Sequence, residues 1–157
     1  MSSRASATPV PPPASAVARF RDVLRAGVVS GLTAALLCLA LYGVGLLIGI
    51  DYEVATPGGF GPGAVTAVTI VVVTLAAALL GAALGALALG QRRGGTIVLV
   101  VGTVVFGVSL ASPLLQPAYV SAATRLWLAL MHLVTYLLVV PAVARVVSDA
   151  DPPPRPR

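Results

Sequence analysis

Four long apolar runs dominate this chain and set the strongest limit on how it can fold. They span residues 26–50, 64–90, 94–112 and 126–147. The first three carry no charged residue, and the fourth carries one arginine near its end. A helix needs about 20 residues to cross the roughly 30 Å hydrocarbon core of a bilayer, so each run is long enough to span it. The pattern predicts an all-α membrane protein built as a four-helix transmembrane bundle.

The overall composition agrees with this class and argues against a soluble domain. Hydrophobic residues make up 58% of the chain and charged residues 10%, with a mean hydropathy of +1.00. An ordinary globular domain has about 25% charged residues, so this chain has too little polar surface to cover a soluble globule. The net charge of +5 could suit nucleic acid, but the arginines lie at the ends of the apolar runs. We therefore expect the lipid bilayer, and no nucleic acid, as a partner.

The chain divides into one membrane domain and two polar tails. Residues 1–18 and 148–157 are rich in Ser, Ala and Pro or in Pro and charge, a composition typical of extended, solvated chain. We expect both to be disordered cytoplasmic tails on either side of a transmembrane domain at residues 19–147.

The arginines predict the direction of each crossing. Nine of the ten basic residues, all of them Arg, precede the first run, lie between the second and third, or lie at or beyond the end of the fourth. The loops at 51–63 and 113–124 have no basic residue, and Arg125 alone lies on their side. Because basic residues are retained on the cytoplasmic side, both termini are predicted to be cytoplasmic in a multi-pass plasma-membrane protein. The exclusive use of Arg is typical of a GC-rich, actinobacterial genome.

One layer of polar side chains is predicted in the half of the bundle farther from the tails. His132 lies seven residues after Arg125, about 10 Å inside the boundary at 1.5 Å per residue, and Tyr42 falls at a similar depth. Thr69 and Ser109 come slightly nearer the surface. An ionisable residue inside a membrane is a candidate functional group, so these five residues could line a polar crevice. The alternative, which the sequence favours, is that they form interhelical hydrogen bonds that hold the bundle together.

Small residues recur at four-residue spacing along the first two runs. The G-x-x-x-G matches are Gly27–Gly31, Gly45–Gly49 and Gly81–Gly85. In lipid such ridges let two helix backbones approach closely. They predict either packing within the chain or a dimerisation face.

The residues needed for catalysis or for a metal site are lacking from the pattern. One histidine and one cysteine, Cys38, do not make a tetrahedral metal site, and the apolar runs contain no Asp or Glu. We therefore expect no catalytic residue, no metal and no cofactor, and a protein that is not an enzyme.

Two short motifs carry a family resemblance. Ser109 and Pro113 near the end of the third run, with Met131 and His132 in the fourth, resemble an uncharacterised actinobacterial family of four-pass membrane proteins, a domain of unknown function. The resemblance covers roughly residues 20–147. It implies a membrane bundle and supplies no activity.

Two functional hypotheses follow from these patterns. The first is a small non-enzymatic membrane protein that acts by packing against itself, as a homo-oligomer, or against another membrane protein. The second is a small oligomeric transporter or channel with the polar crevice around His132. A proton-coupled exporter would need a carboxylate inside the membrane, which weakens the coupled form of the second hypothesis.

Overall fold

The computed structural model describes residues 16–55 and 62–150. Within these ranges the elements follow in the order α1 (Ala16–Leu47), β1 (Glu53–Ala55), β2 (Pro62–Ala64), α2 (Ala67–Ala88), α3 (Gly94–Ser109), α4 (Ala111–Leu114) and α5 (Ala122–Asp149). Four helical segments among them are long and apolar enough to cross a membrane: α1, α2, α3 continued by α4, and α5. The predicted fold class, an all-α bundle of four membrane helices, is confirmed.

The first and last helices begin before the apolar runs that predicted them, whereas α2 lies within its run. α1 begins at Ala16, inside the segment predicted as a tail, and its 32 residues make it about 48 Å long. α5 begins at Ala122, before the fourth run, and continues to Asp149. The N-terminal extension is held by packing, because Val23 is fully buried among α2 and α5. The remaining parts of the predicted tails, residues 1–15 and 151–157, lie outside the described residues.

α5 is the central helix of the bundle. It contacts α1, α2 and α3, while α1 packs on α2 and α5, and α3 packs on α5 and α2. At one end, which we call the arginine end, the start of α1 and the end of α5 meet the turn between α2 and α3. At the other, the hairpin end, lie the antiparallel β1–β2 pair and the short α4.

Local capping fixes where the helices at the hairpin end begin and stop. Thr66 caps α2 by accepting a hydrogen bond from the Thr69 backbone N–H, and Ser121 caps α5 in the same way through Thr124. These side chains satisfy backbone donors that the first turn of a helix leaves open. α1 ends in a turn in which Gly49 has a φ of +85°, a conformation that glycine adopts without strain.

The exterior of the bundle is apolar around the spans. Leu36, Leu80 and Val108 are each about 70% exposed, at 68%, 71% and 71%, and they belong to three different helices. A soluble protein rarely shows a continuous apolar surface of this extent, whereas lipid chains cover it in a bilayer. Buried residues form two clusters, one toward the arginine end on Val98, Val143 and Val147, and one toward the hairpin end on Cys38, Tyr52 and Met131.

Candidate functional site at the hairpin end

Tyr52 is the most unusual residue of the hairpin end. It follows α1 with a φ of +54°, a left-handed conformation that is uncommon for a bulky residue, and its side chain is 1% exposed. The backbone turn directs the ring back over the end of α1. There its hydroxyl lies 3.3 Å from the Tyr42 carbonyl oxygen and 3.5 Å from that of Leu41, and donates to this pair. Burial, with a smaller contribution from Tyr42, raises the pKa of Tyr52 to about 12.

Trp127 of α5 reaches the same stretch of α1 from the other side. Its indole Nε1 donates to the Leu41 carbonyl oxygen at 2.9 Å. We call Tyr52 and Trp127 the aromatic wedge. Gly45 makes room for both side chains, because a Cβ there would overlap the Tyr52 hydroxyl and lie 2.8 Å from Trp127 Nε1. The wedge therefore couples the loop after α1, α1 itself and α5 through backbone carbonyls.

A second set of polar contacts ties the same loop to the start of α5. The Thr124 hydroxyl, on a fully buried residue, donates to Asp51 Oδ1 at 2.6 Å and accepts from the Ser121 hydroxyl at 2.9 Å. Hydrogen bonds to a carboxylate are stronger than those between neutral groups. In addition, the Ala55 backbone N–H donates to Gln116 Oε1 at 2.9 Å, which joins β1 to the segment after α4.

The structure places Tyr42 and Arg125, two of the five predicted crevice residues, in separate surroundings. The Tyr42 ring packs against Tyr52 with centroids 4.6 Å apart. Arg125 donates through Nη2 to the Pro117 carbonyl oxygen at 2.6 Å. Its Nε is buried without a hydrogen-bond partner among the described residues. Arg125 thus binds the backbone of the loop before α5.

The other three predicted residues bond to neighbours three or four positions away along the chain. Thr69 hydrogen-bonds Thr66 at the start of α2, with 3.0 Å between the hydroxyls. The Ser109 hydroxyl donates to the Phe106 carbonyl oxygen at 2.7 Å. His132 Nδ1 lies 2.8 Å from the Leu128 carbonyl oxygen. No hydrogen bond between described residues joins any two of the five, so the structure shows them as separate, locally bonded groups.

His132 lies on the side of α5 away from the aromatic wedge. Tyr136, one turn further along that side, shares a hydrogen bond with the Thr103 hydroxyl of α3 at 2.8 Å and stacks on Phe106 with centroids 4.6 Å apart. His132 is half-buried, and its Nε2 makes no hydrogen bond to a described residue. The imidazole therefore keeps one nitrogen available beside the α3–α5 seam.

A polar group that the sequence reasoning missed lies in the middle of the bundle. Cys38, with no exposed surface, has its Sγ 3.6 Å from both the Met131 carbonyl oxygen and the Thr135 hydroxyl. Thr74 of α2 is also buried, at 5% exposure. Cys38 is buried and Thr135 is partly buried, but sequence alone does not say which faces of α1 and α5 meet.

The glycines at four-residue spacing mark contacts within the chain. Gly27 and Gly31 of α1 face α2, where a Cβ at either position would lie 2.6 Å from Ala82 Cβ and 2.5 Å from Ala78 Cβ respectively. Close neighbours within the chain surround five of the six predicted packing glycines: Gly27, Gly31, Gly45, Gly81 and Gly85. The sixth, Gly49, has nothing within 4 Å of such a Cβ and instead ends α1.

No metal site emerges from the described residues. They contain no group of three His, Cys, Asp or Glu side chains that could hold a metal ion. A shallow depression between α1 and α2 is purely apolar and is lined by Leu39, Ala67, Val68, Val71 and Val72. Its chemistry matches a lipid chain on the outside of the bundle.

Together, four apolar spans and polar groups bonded within the bundle define a small multi-pass membrane protein. A protein-family profile matches residues 18–149, which is most of the chain. The protein belongs to this family, which is described as a family of unknown function (DUF6069). No curated protein and no solved structure was found to be similar to the chain.

Proposed function

We propose that this protein is a non-enzymatic plasma-membrane protein that works by packing against other copies of itself or against another membrane protein. The observation that supports this most is how the polar groups of the spans are used. Cys38, Thr135 and Tyr136 bond across helices, and Ser109 and Thr103 bond to carbonyls of their own helix. Glycine–alanine contacts close the space between α1 and α2. Apart from His132 Nε2, the apolar exterior is what the spans leave for a partner.

A crosslinking experiment in the native membrane tests this packing role. A photoreactive amino acid replaces Gly43 of α1 or Gly107 of α3, since a Cβ at either glycine has nothing within 4 Å. We expect one discrete protein adduct from at least one of these positions. Ala78, which is buried against Gly31, provides the control because a crosslinker there meets the same chain. Adducts with lipid alone at both outward positions would contradict the packing role.

We further propose that both termini are cytoplasmic, as the distribution of the arginines favours. Cysteine labelling tests this directly, because the single native cysteine is buried. Gln91→Cys in the α2–α3 turn and Ala118→Cys in the loop before α5 are both at exposed positions. The experiment uses intact cells of an actinobacterial host, because the use of Arg alone as basic residue favours that source. In these cells an impermeant maleimide should label Ala118→Cys. Gln91→Cys should react after permeabilisation. The reverse pattern would invert the topology.

A small oligomeric transporter or channel is the alternative, and the His132 Nε2, which bonds no described residue, favours it. In an oligomer the α3–α5 seam could face another copy, and Nε2 would then bind a proton or a polar solute there. Purified protein in liposomes should then conduct ions or solute, and His132→Ala should abolish the flux at unchanged stability. If wild type conducts nothing while crosslinking still shows a partner, the packing role is favoured.

A further inference from the structure

Six arginines gather at the arginine end of the described chain: Arg19, Arg21, Arg25, Arg92, Arg93 and Arg145. Two carboxylates, Asp22 and Asp149, lie in the same region. At the hairpin end negative charge is in excess, because Asp51 and Glu53 outnumber the single basic residue Arg125. The charge of the described chain is therefore strongly polarised along the bundle axis.

The Arg19 side chain hydrogen-bonds within the fold, whereas the side chains of the other five arginines bond no described residue. Its Nη1 donates to the Ala150 carbonyl oxygen at 3.4 Å, at the C-terminus of α5, where a cation complements the helix dipole. The other five are exposed. None of their guanidinium nitrogens lies within 4.0 Å of a carboxylate oxygen of a described residue, so none forms an ion pair there. We call Arg21, Arg25, Arg92, Arg93 and Arg145 the basic surface.

Close packing brings three members of the basic surface to one seam. α3 begins directly after Arg92 and Arg93 and lies against the last turns of α5. A Cβ at Gly95 would overlap the Ser148 hydroxyl and lie 2.7 Å from the Ala144 carbonyl oxygen. The α2–α3 turn therefore meets α5 at the turn that carries Arg145. On α1, Arg21 and Arg25 are four residues apart and share a helix face.

Exposed apolar side chains border the basic surface on the same helices. Phe20 and Leu24, beside Arg21 and Arg25, are 46% and 37% exposed, and Leu87, just before the α2–α3 turn, is 79% exposed. A soluble anion would neutralise the guanidinium groups and leave these side chains in water. An amphiphile with an anionic head and acyl chains matches both the guanidinium groups and the exposed apolar side chains.

We propose that the basic surface binds the headgroups of anionic phospholipids. Guanidinium groups recognise phosphate through paired, charge-assisted hydrogen bonds, and basic residues beside a membrane span are attracted to anionic lipid. This inference goes beyond the packing role, since it concerns the lipids around the bundle whatever its protein partner. It holds the arginine end at the level of the headgroups, with the apolar side chains directed toward the acyl chains.

The full-length protein in lipid nanodiscs tests the proposal. Its midpoint of thermal unfolding is compared in pure phosphatidylcholine and in phosphatidylcholine with one part in three of phosphatidylglycerol. We expect the anionic lipid to raise the midpoint by on the order of 5 °C. Binding of a fluorescent phosphatidylglycerol should weaken about fivefold for each arginine removed. The variant Arg92→Gln/Arg93→Gln/Arg145→Gln should lose most of the shift.

Matched controls separate this effect from general destabilisation. Arg125→Gln removes the same charge at the hairpin end and should keep the full difference between the two lipids, whatever it does to the midpoint itself. With wild type, 1 M salt should reduce the shift, because the Debye length falls to about 3 Å. Equal midpoints of wild type in the two lipids, or a full shift in the triple variant, would overturn the proposal. So would an equal shift from inorganic phosphate in pure phosphatidylcholine.

Discussion

Replacing Gly45 with alanine should destabilise the protein, although alanine is the better helix former. The structure leaves no space for the added methyl group, which would overlap the Tyr52 hydroxyl and lie 2.8 Å from both Tyr52 Cζ and Trp127 Nε1. The aromatic wedge must then move outward. Tyr52 loses its contacts with the Leu41 and Tyr42 carbonyls, and Trp127 loses its hydrogen bond to Leu41.

The size of this effect on the free energy of unfolding follows from two losses and one gain. Hydrogen bonds in membrane proteins are worth about 0.6 kcal/mol each, and overpacking typically costs about 1–3 kcal/mol. The change from glycine to alanine returns about 1 kcal/mol of helix propensity. The net loss in the free energy of unfolding should be about 1–3 kcal/mol.

Gly43 provides a matched control two residues earlier on the same helix. A Cβ at Gly43 has nothing within 4 Å, so Gly43→Ala should gain up to about 1 kcal/mol from helix propensity alone. Reversible unfolding in mixed detergent, followed by circular dichroism, measures both variants. Trp127 is the one tryptophan of the chain, so its fluorescence reports directly on the wedge and should shift to the red in Gly45→Ala. Equal unfolding free energies for the two variants would refute the steric reasoning.

Three further predictions concern the hairpin end and the middle of the bundle. Because burial raises the pKa of Tyr52 from 10.0 to about 12, its contribution to stability is complete below pH 10 and is lost as the pH rises toward 12. An ultraviolet titration should lose a phenol that ionises at about pH 12 in Tyr52→Phe, and an unchanged titration would contradict this. Thr124→Val removes the 2.6 Å hydrogen bond to Asp51 and should lower the free energy of unfolding by about 1.5–3 kcal/mol. The control is Ser112→Ala, at an exposed position, which should change the free energy of unfolding little. The buried Cys38 thiol should resist maleimide in the folded bundle and react in step with detergent-induced unfolding; rapid labelling of the folded protein would show that the centre of the bundle opens.

The number and class of the spans could be predicted from sequence because one strong physical effect determines them. A bilayer requires about 20 continuous apolar residues per helix, and the four runs meet that length. The ends of the helices depend on other interactions. α5 begins at Ala122 because Ser121 caps it. This cap is a Ser-x-x-Thr pattern, which a hydropathy profile does not detect. α1 starts at Ala16, where tertiary packing through Val23 supports the helix beyond its apolar run.

The candidate site was harder to predict because depth along a helix does not give rotation about it. Thr69, Ser109 and His132 were predicted to share a layer with Tyr42, yet each bonds a residue three or four positions away on its own chain segment. A helix carbonyl or a capping hydroxyl lies within reach of such a side chain wherever it faces. The inward turn of Tyr52 depends on a non-local contact with α1 and on a left-handed backbone, neither of which leaves a periodic signal.

The two faces of α5 limit where a functional crevice could form. Thr124, Trp127, Met131 and Thr135 follow one another at three- or four-residue spacing and bond or pack toward α1 and its loop. That face is filled. His132 follows Met131 in the chain and lies outside that face. Its Nδ1 is hydrogen-bonded to the Leu128 carbonyl oxygen of α5 itself. Any solute or proton that reached this imidazole would therefore have to approach along the α3–α5 seam or from the lipid, since the path from α1 is closed by the wedge and Met131. A transport role thus requires a second surface against that seam, and crosslinking from Gly107 on α3 would detect one.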